Sequence, residues 1–157
     1  MKTNAARLLD RLRVSYEIRT YDVDETHLGA AAAAEKLGLP PERVFKTLVA
    51  RVSGRDVVLA CIPATAELDL KALGAAAGAK RADMVPLNEV QPLTGYIRGG
   101  VSPLGARRSP PVFLDRSAEA WPAISVSAGV RGCQILIAPQ DLIRAANATL
   151  CDIAKKL

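Results

Sequence analysis

Two apolar runs, Val44 to Val52 and Asp56 to Ile62, flank a Ser53-Gly54 turn, and no other feature constrains the fold as much. Short runs rich in Val, Ile and Leu on either side of a Gly-containing turn read as an antiparallel hairpin. The chain is therefore expected to build around a sheet. Lys46 stands inside the first run, in Val44-Phe45-Lys46-Thr47-Leu48-Val49-Ala50. Strand alternation places it on one face with Leu48, Ala50 and Val52.

Patterning supplies the other elements. Residues 3–13 read as an amphipathic helix capped by Thr3 or Asn4, with Leu8, Leu9 and Leu12 on one face. Residues 14–21 alternate as a half-buried strand, and residues 22–27 form an acidic loop. Residues 30–37 are Ala-rich and helical, stopped by Gly38. Pro40 starts a short helical turn. A helix over 68–77 is closed by Gly78, a short strand covers 80–85, and a brief helix covers 86–90. Residues 94–105 are punctuated by Gly and Pro. Strands are expected at 112–115, 124–127 and 133–137, and a helix or helix pair over 141–156. This order does not repeat the strict strand-helix alternation of a doubly wound sheet. The expected architecture is α+β, one domain over residues 1–157, with a mixed β-sheet curled toward a partial barrel and flanking helices.

Composition narrows the class. Half of the 157 residues are hydrophobic, so burial offsets the ordering entropy and disorder is excluded. Aromatics make up only 4%, so Ala, Val, Leu and Ile must form the core. The net charge of +5 suits an anionic partner as well as it suits a solvated surface. Cys61, Cys133 and Cys151 are odd in number and scattered, against both a disulfide framework and zinc. The N-terminus shows no apolar leader and no stretch is long enough to span a bilayer, so a reducing, cytoplasmic setting is expected.

Lys46 either blocks an open strand edge or meets an anion, as a phosphate-binding or carbonyl-polarising point charge. The segment Gly95-Tyr96-Ile97-Arg98-Gly99-Gly100-Val101-Ser102-Pro103-Leu104-Gly105 has four glycines in eleven residues. Its amide groups suit an oxyanion or a ribose oxygen, or it is only a turn. It is neither a Walker A loop nor a dinucleotide fingerprint. His27 is the only histidine, no Gly-x-Ser-x-Gly elbow exists, and no spacing suggests a metal site. Arg98, Arg107, Arg108, Arg116 and Arg131 outnumber Asp115 and Glu119 in the second half, as dispersed surface charge or as a basic rim for a tRNA acceptor end.

Four blocks occur together in order: Val44 to Leu48, Leu68-Asp69-Leu70-Lys71, Thr94 to Gly105, and Val126-Ser127-Ala128-Gly129-Val130-Arg131-Gly132. As an ordered set over nearly the whole chain they resemble the YbaK/EbsC family of Cys-tRNA(Pro) deacylases. The same domain type occurs in prolyl-tRNA synthetases and in free-standing Ala-tRNA(Pro) deacylases. The resemblance implies hydrolytic editing of mischarged tRNA without metal, cofactor or catalytic triad, by positioning and oxyanion stabilisation. It assigns the family lysine to Lys46 and the pocket loop to Gly99, Gly100 and Ser102. Tyr21 matches a pocket aromatic. Leu28 replaces a phenylalanine and Gln134 an acidic residue, both where the amino-acid side chain is sensed. The expected partners are the acceptor end of mischarged tRNA and prolyl-tRNA synthetase. The alternatives are an editing enzyme for alanine or another small residue, and a non-catalytic module binding a tRNA end or a nucleotide.

Overall fold

The computed structural model describes residues 2–156. In chain order the elements are α1 (Asn4–Arg11), β1 (Glu17–Thr20), α2 (Ala30–Leu37), β2 (Phe45–Val52), β3 (Asp56–Pro63), β4 (Ala66–Leu68) and α3 (Leu70–Ala76). They continue as β5 (Ala82–Met84), α4 (Val90–Thr94), β6 (Val112–Asp115), β7 (Ile124–Ser127), β8 (Cys133–Ile137), α5 (Pro139–Ala146), β9 (Thr149–Cys151) and β10 (Ala154–Lys156).

The expected central hairpin forms, in a register that runs from Phe45 opposite Pro63 to Val52 opposite Asp56. Its turn needs left-handed backbone at Ser53 and Gly54, with φ of 54° and 69°. Both faces of the hairpin are covered, which explains its near-continuous apolar sequence. Phe45, Val49, Leu59 and Cys61 point into a core shared with Leu9, Leu114, Ile124, Ile135 and Leu142. Ala50, Val52, Val58, Ala60 and Ile62 point into a second core with Leu73 of α3, Phe113 of β6 and Ile153.

β2 and β3 lie inside a five-stranded mixed sheet ordered β5-β2-β3-β6-β9, in which β3–β6 and β6–β9 pair in parallel. A second, antiparallel sheet runs β1-β8-β7. The two meet at one parallel bridge, Val44 to Ser125. The sheets curl toward each other there without closing. The α+β class, the mixed sheet and the flanking helices are as expected.

Three local expectations change. The helix expected over 141–156 is only α5, which Asn147 ends in the left-handed conformation at φ 51°. The chain then forms β9 beside β6, and β10 beside β4, a strand the sequence pattern did not reveal. Strands of three residues carry too little periodicity to read, and their partners lie far away in sequence. The strand over 80–85 shrinks to β5, and the first helix ends at Arg11.

Asp115 at the end of β6 clamps this C-terminal segment. Its Oδ1 accepts the amides of Ile153 and Ala154, each at 3.0 Å, and its Oδ2 accepts the Ser117 amide and hydroxyl at 3.1 and 2.6 Å. Asp115 is buried, so its removal strands the buried Ile153 amide and frees the part-buried amides of Ala154 and Ser117. Asp115→Ala is expected to lower stability by about 2–4 kcal/mol. A urea titration checks this as a lower midpoint with an unchanged slope.

Candidate functional site

Beyond the Val44–Ser125 bridge, β2 and β7 diverge. β5 covers the same edge of β2 only from Ala50 onward. Residues 45–49 therefore have no strand partner on that side, and a cavity of about 300 Å³ occupies the gap. The Val85 amide donates to Val49 O at 3.0 Å and the Ser53 amide to Arg81 O at 2.9 Å. Odd-numbered residues of β2 thus turn their backbone groups to this edge, which aims the Thr47 N–H and C=O at the cavity.

The walls combine apolar side chains, among them Met84, Val85, Leu87 and Val101, with a few polar ones. Lys46 and Arg98 are the charged residues of the lining, and among the described residues no carboxylate lines the cavity. Lys46 is half-buried, and this burial lowers the pKa of its ammonium, with Glu67 nearby acting in the opposite direction. A partly desolvated cation beside free backbone groups suits a phosphate, a carboxylate or a developing oxyanion. Among the described residues, no cluster of three or more His, Cys, Asp or Glu is placed to hold a metal ion.

The glycine-rich loop is cinched from behind. The buried Tyr96 hydroxyl donates to Leu104 O at 2.6 Å, and the Thr94 hydroxyl donates to Val90 O at 2.7 Å. Gly129 lies so close to the Tyr96 ring that a Cβ there would sit 2.7 Å from Cε1. The Arg131 Nε donates to Arg98 O at 2.8 Å, and its Nη1 lies 3.5 Å from Glu25. One guanidinium thus ties the Gly99 loop to the acidic loop that leads to Gly29 and Ala30 on the opposite wall.

Of the residues singled out from sequence, Lys46, Tyr21, Gly99 and Gln134 line one cavity. Tyr21 is docked by its own amide, which donates to Gly132 O at 2.9 Å. Gln134 is buried on β8, with its Oε1 accepting the Ser125 hydroxyl at 2.7 Å. Gln134 lines the cavity, and its amide nitrogen makes no hydrogen bond among the described residues. Gly100, Ser102 and Leu28 stand outside the lining. The Gly100 amide donates to Ile97 O at 2.9 Å, and a Cβ there would press on the Val130–Arg131 backbone. Ser102 is fully buried and its hydroxyl accepts the Leu104 amide at 3.2 Å. Leu28 is half-buried, one residue before Gly29. His27 is exposed and lines no part of the cavity. Thr47, Ser127 and Met84 also line the cavity without being among the sequence-derived candidates, although Thr47 adjoins Lys46 and Ser127 is the second residue of the last matching block. Cys61, Cys133 and Cys151 are all free thiols. Among the described residues, no helix is long and apolar enough to cross a membrane.

A family model described as "Aminoacyl-tRNA editing domain" matches residues 25–145. The Enterococcus faecalis protein named "Putative Cys-tRNA(Pro)/Cys-tRNA(Cys) deacylase EbsC" is 41% identical over 155 residues, covering 99% of this chain and 94% of that protein. The Bacillus subtilis protein YwhH is 34% identical over 127 residues, 79% of this chain and 80% of its own. Among solved structures, the hypothetical protein APE2540 superposes with a TM-score of 0.88 at 22% identity, over 98% of this chain and 100% of that one. A "putative trans-editing enzyme for prolyl tRNA synthetase" superposes at 0.81 with 21% identity, over 99% of each chain. At these identities the structural matches speak for the fold alone.

Burial pushes the Tyr96 hydroxyl up to about 12. The unfolded chain releases this proton near 10 and the folded chain near 12, so folding stability is full below 10 and falls as pH rises between the two. Alkaline unfolding followed by circular dichroism is expected to show that decline. Tyr96→Phe should start less stable by about 1 kcal/mol, having lost the bond to Leu104, and decline less steeply above pH 10.

Proposed function

This chain belongs to the aminoacyl-tRNA editing-domain family, and on that premise we propose that it is a trans-acting deacylase for mischarged tRNA, with Cys-tRNA(Pro) as first substrate. The observation that carries this reading is the cavity beside the open edge of β2, with two cations, free backbone groups and no carboxylate in its walls. The terminal adenosine and its aminoacyl ester occupy this gap. Lys46 polarises the ester carbonyl and stabilises the oxyanion that forms on attack. The Thr47 backbone and the Gly99 loop fix the ribose and base by hydrogen bonds.

The attacking group is water or, for a cysteinyl ester, the substrate's own thiol. The tRNA ribose oxygen departs with a proton. This division of labour suits walls in which neither Thr47 nor Ser127 has a histidine beside it to act as base. Gln134 reads the amino acid. Its NH2 end donates to a side chain with a lone pair, so a cysteine thiol is favoured over the methyl of alanine. Prolyl-tRNA synthetase, the source of such errors, supplies tRNA identity, and both proteins work in the cytoplasm.

Lys46→Ala is expected to slow release of cysteine from Cys-tRNA(Pro) by about 10²–10³-fold while leaving the urea midpoint in place. A full rate in that variant would remove Lys46 from the mechanism. The wild-type protein is to be incubated with Cys-, Ala- and Pro-tRNA(Pro). Preferential release of cysteine supports the reading, release of alanine alone reassigns the substrate, and no release from any of the three leaves only a binding role.

A further inference from the structure

A second depression, of about 580 Å³, lies at the other end of β2. Arg51, Arg55, Arg107 and Arg108 stand around it, against Asp56 as the single carboxylate. Arg51 is paired with Glu89 at 2.9 Å. Arg107 spends one N–H on Pro92 O at 2.9 Å, which does not neutralise it. Among the described residues, Arg55, Arg107 and Arg108 have no ion-pair partner, and all three are exposed. The floor is apolar, with Val57, Leu93 and Pro111.

The groove and the catalytic cavity are neighbours. Val49 lines the cavity and Arg51, two residues on, lines the groove. Val90 and Leu93, one turn of α4 apart, do the same from the other side. From Lys46 to Arg51 the strand advances about 17 Å at roughly 3.3 Å per residue. A nucleic acid with its last nucleoside in the cavity therefore carries earlier phosphates across the groove.

We propose that this groove is the docking site for the phosphodiester backbone of the tRNA acceptor strand, with Arg55 and Arg108 as its principal phosphate contacts. The proposal rests on the editing reading for the choice of RNA. Charge sets the class of ligand: three unpaired guanidinium groups attract a polyanion and suit phosphate oxygens. An apolar floor with no amide or carboxylate besides Asp56 gives little with which to read base edges. Such contacts position the substrate without selecting its sequence.

The test compares wild type with the R55A/R108A double variant, using uncharged tRNA(Pro) binding at several salt concentrations and deacylation of both Cys-tRNA(Pro) and a cysteinyl-adenosine ester. The variant is expected to bind tRNA about ten-fold more weakly at 0.1 M salt. Its log–log salt slope should be shallower by roughly 1.5, as for two lost phosphate contacts. KM for Cys-tRNA(Pro) should rise while turnover of the adenosine ester stays at the wild-type rate. Restored binding in R55K/R108K supports charge contacts over loss of local structure. Wild-type affinity and slope in the alanine variant would overturn the proposal. So would polyglutamate competing as well as RNA of equal charge, which would make the groove a general acidic-peptide site. If wild type cleaves neither ester yet shows the groove-dependent slope, the editing reading fails and the groove stands. Cleavage of both esters with an unchanged slope gives the reverse.

Discussion

The contact between Val44 and Ser125 decides the shape of this molecule. Both residues are fully buried, and there the free edge of the central hairpin touches the second sheet once. Full pairing of β2 with β7 would have satisfied the strand edge and left no room for a ligand. A complete separation would have exposed a row of amide and carbonyl groups, a known route to aggregation. A single bridge followed by divergence holds the sheets at a fixed distance and leaves a few backbone groups unspent. β5, which begins its pairing at Ala50, sets the other end of the opening. The cavity is thus a deliberate gap in a hydrogen-bond ladder, and its polar character comes from backbone as much as from side chains.

That origin accounts for the economy of the chemistry. The walls carry two cations, no acid and no histidine, so little general acid–base power is on offer. What the fold provides is stiffness. The Tyr96 bond to Leu104, the Arg131 link from Arg98 to Glu25, and the close approach of Gly129 to Tyr96 all brace the loop opposite Lys46. The catalysis by positioning proposed for this cavity depends on such bracing, since loose groups must be reorganised during a reaction and fixed ones need not be.

Much of the fold was legible in the residues. The strands at 112–115, 124–127 and 133–137 and the helix at 30–37 form with the expected bounds, because each is long enough for its pattern to show and is followed within two residues by a Gly, a Pro or a charged side chain. The C-terminal segment was not legible. Leu142 and Ile143 support a helix, and only Asn147 hinted at its end, while β9 and β10 are specified by distant partners at β6 and β4. The site divides in the same way. A lysine within an apolar strand is visible locally, but whether it borders open space depends on how far β5 and β7 extend along β2. Ser102 shows the converse. The family resemblance implies a place in the pocket for it, whereas in the structure it is fully buried and its hydroxyl accepts the Leu104 amide in a local turn.

The pairing of β1 with β8 joins residues 17–20 to residues 133–136, about three quarters of the chain apart. Tyr21, which follows β1 directly, takes its place in the wall through Gly132. A ribosome delivers the N-terminus first, so β1 emerges early and waits unpaired while most of the protein is made. The hairpin β2–β3 needs only neighbours and folds long before. The nascent chain consequently holds Lys46 in its strand well before Tyr21 closes the opposite side. The cavity walls are therefore completed only once residues 132–137 have been made, ahead of α5, β9 and β10 alone.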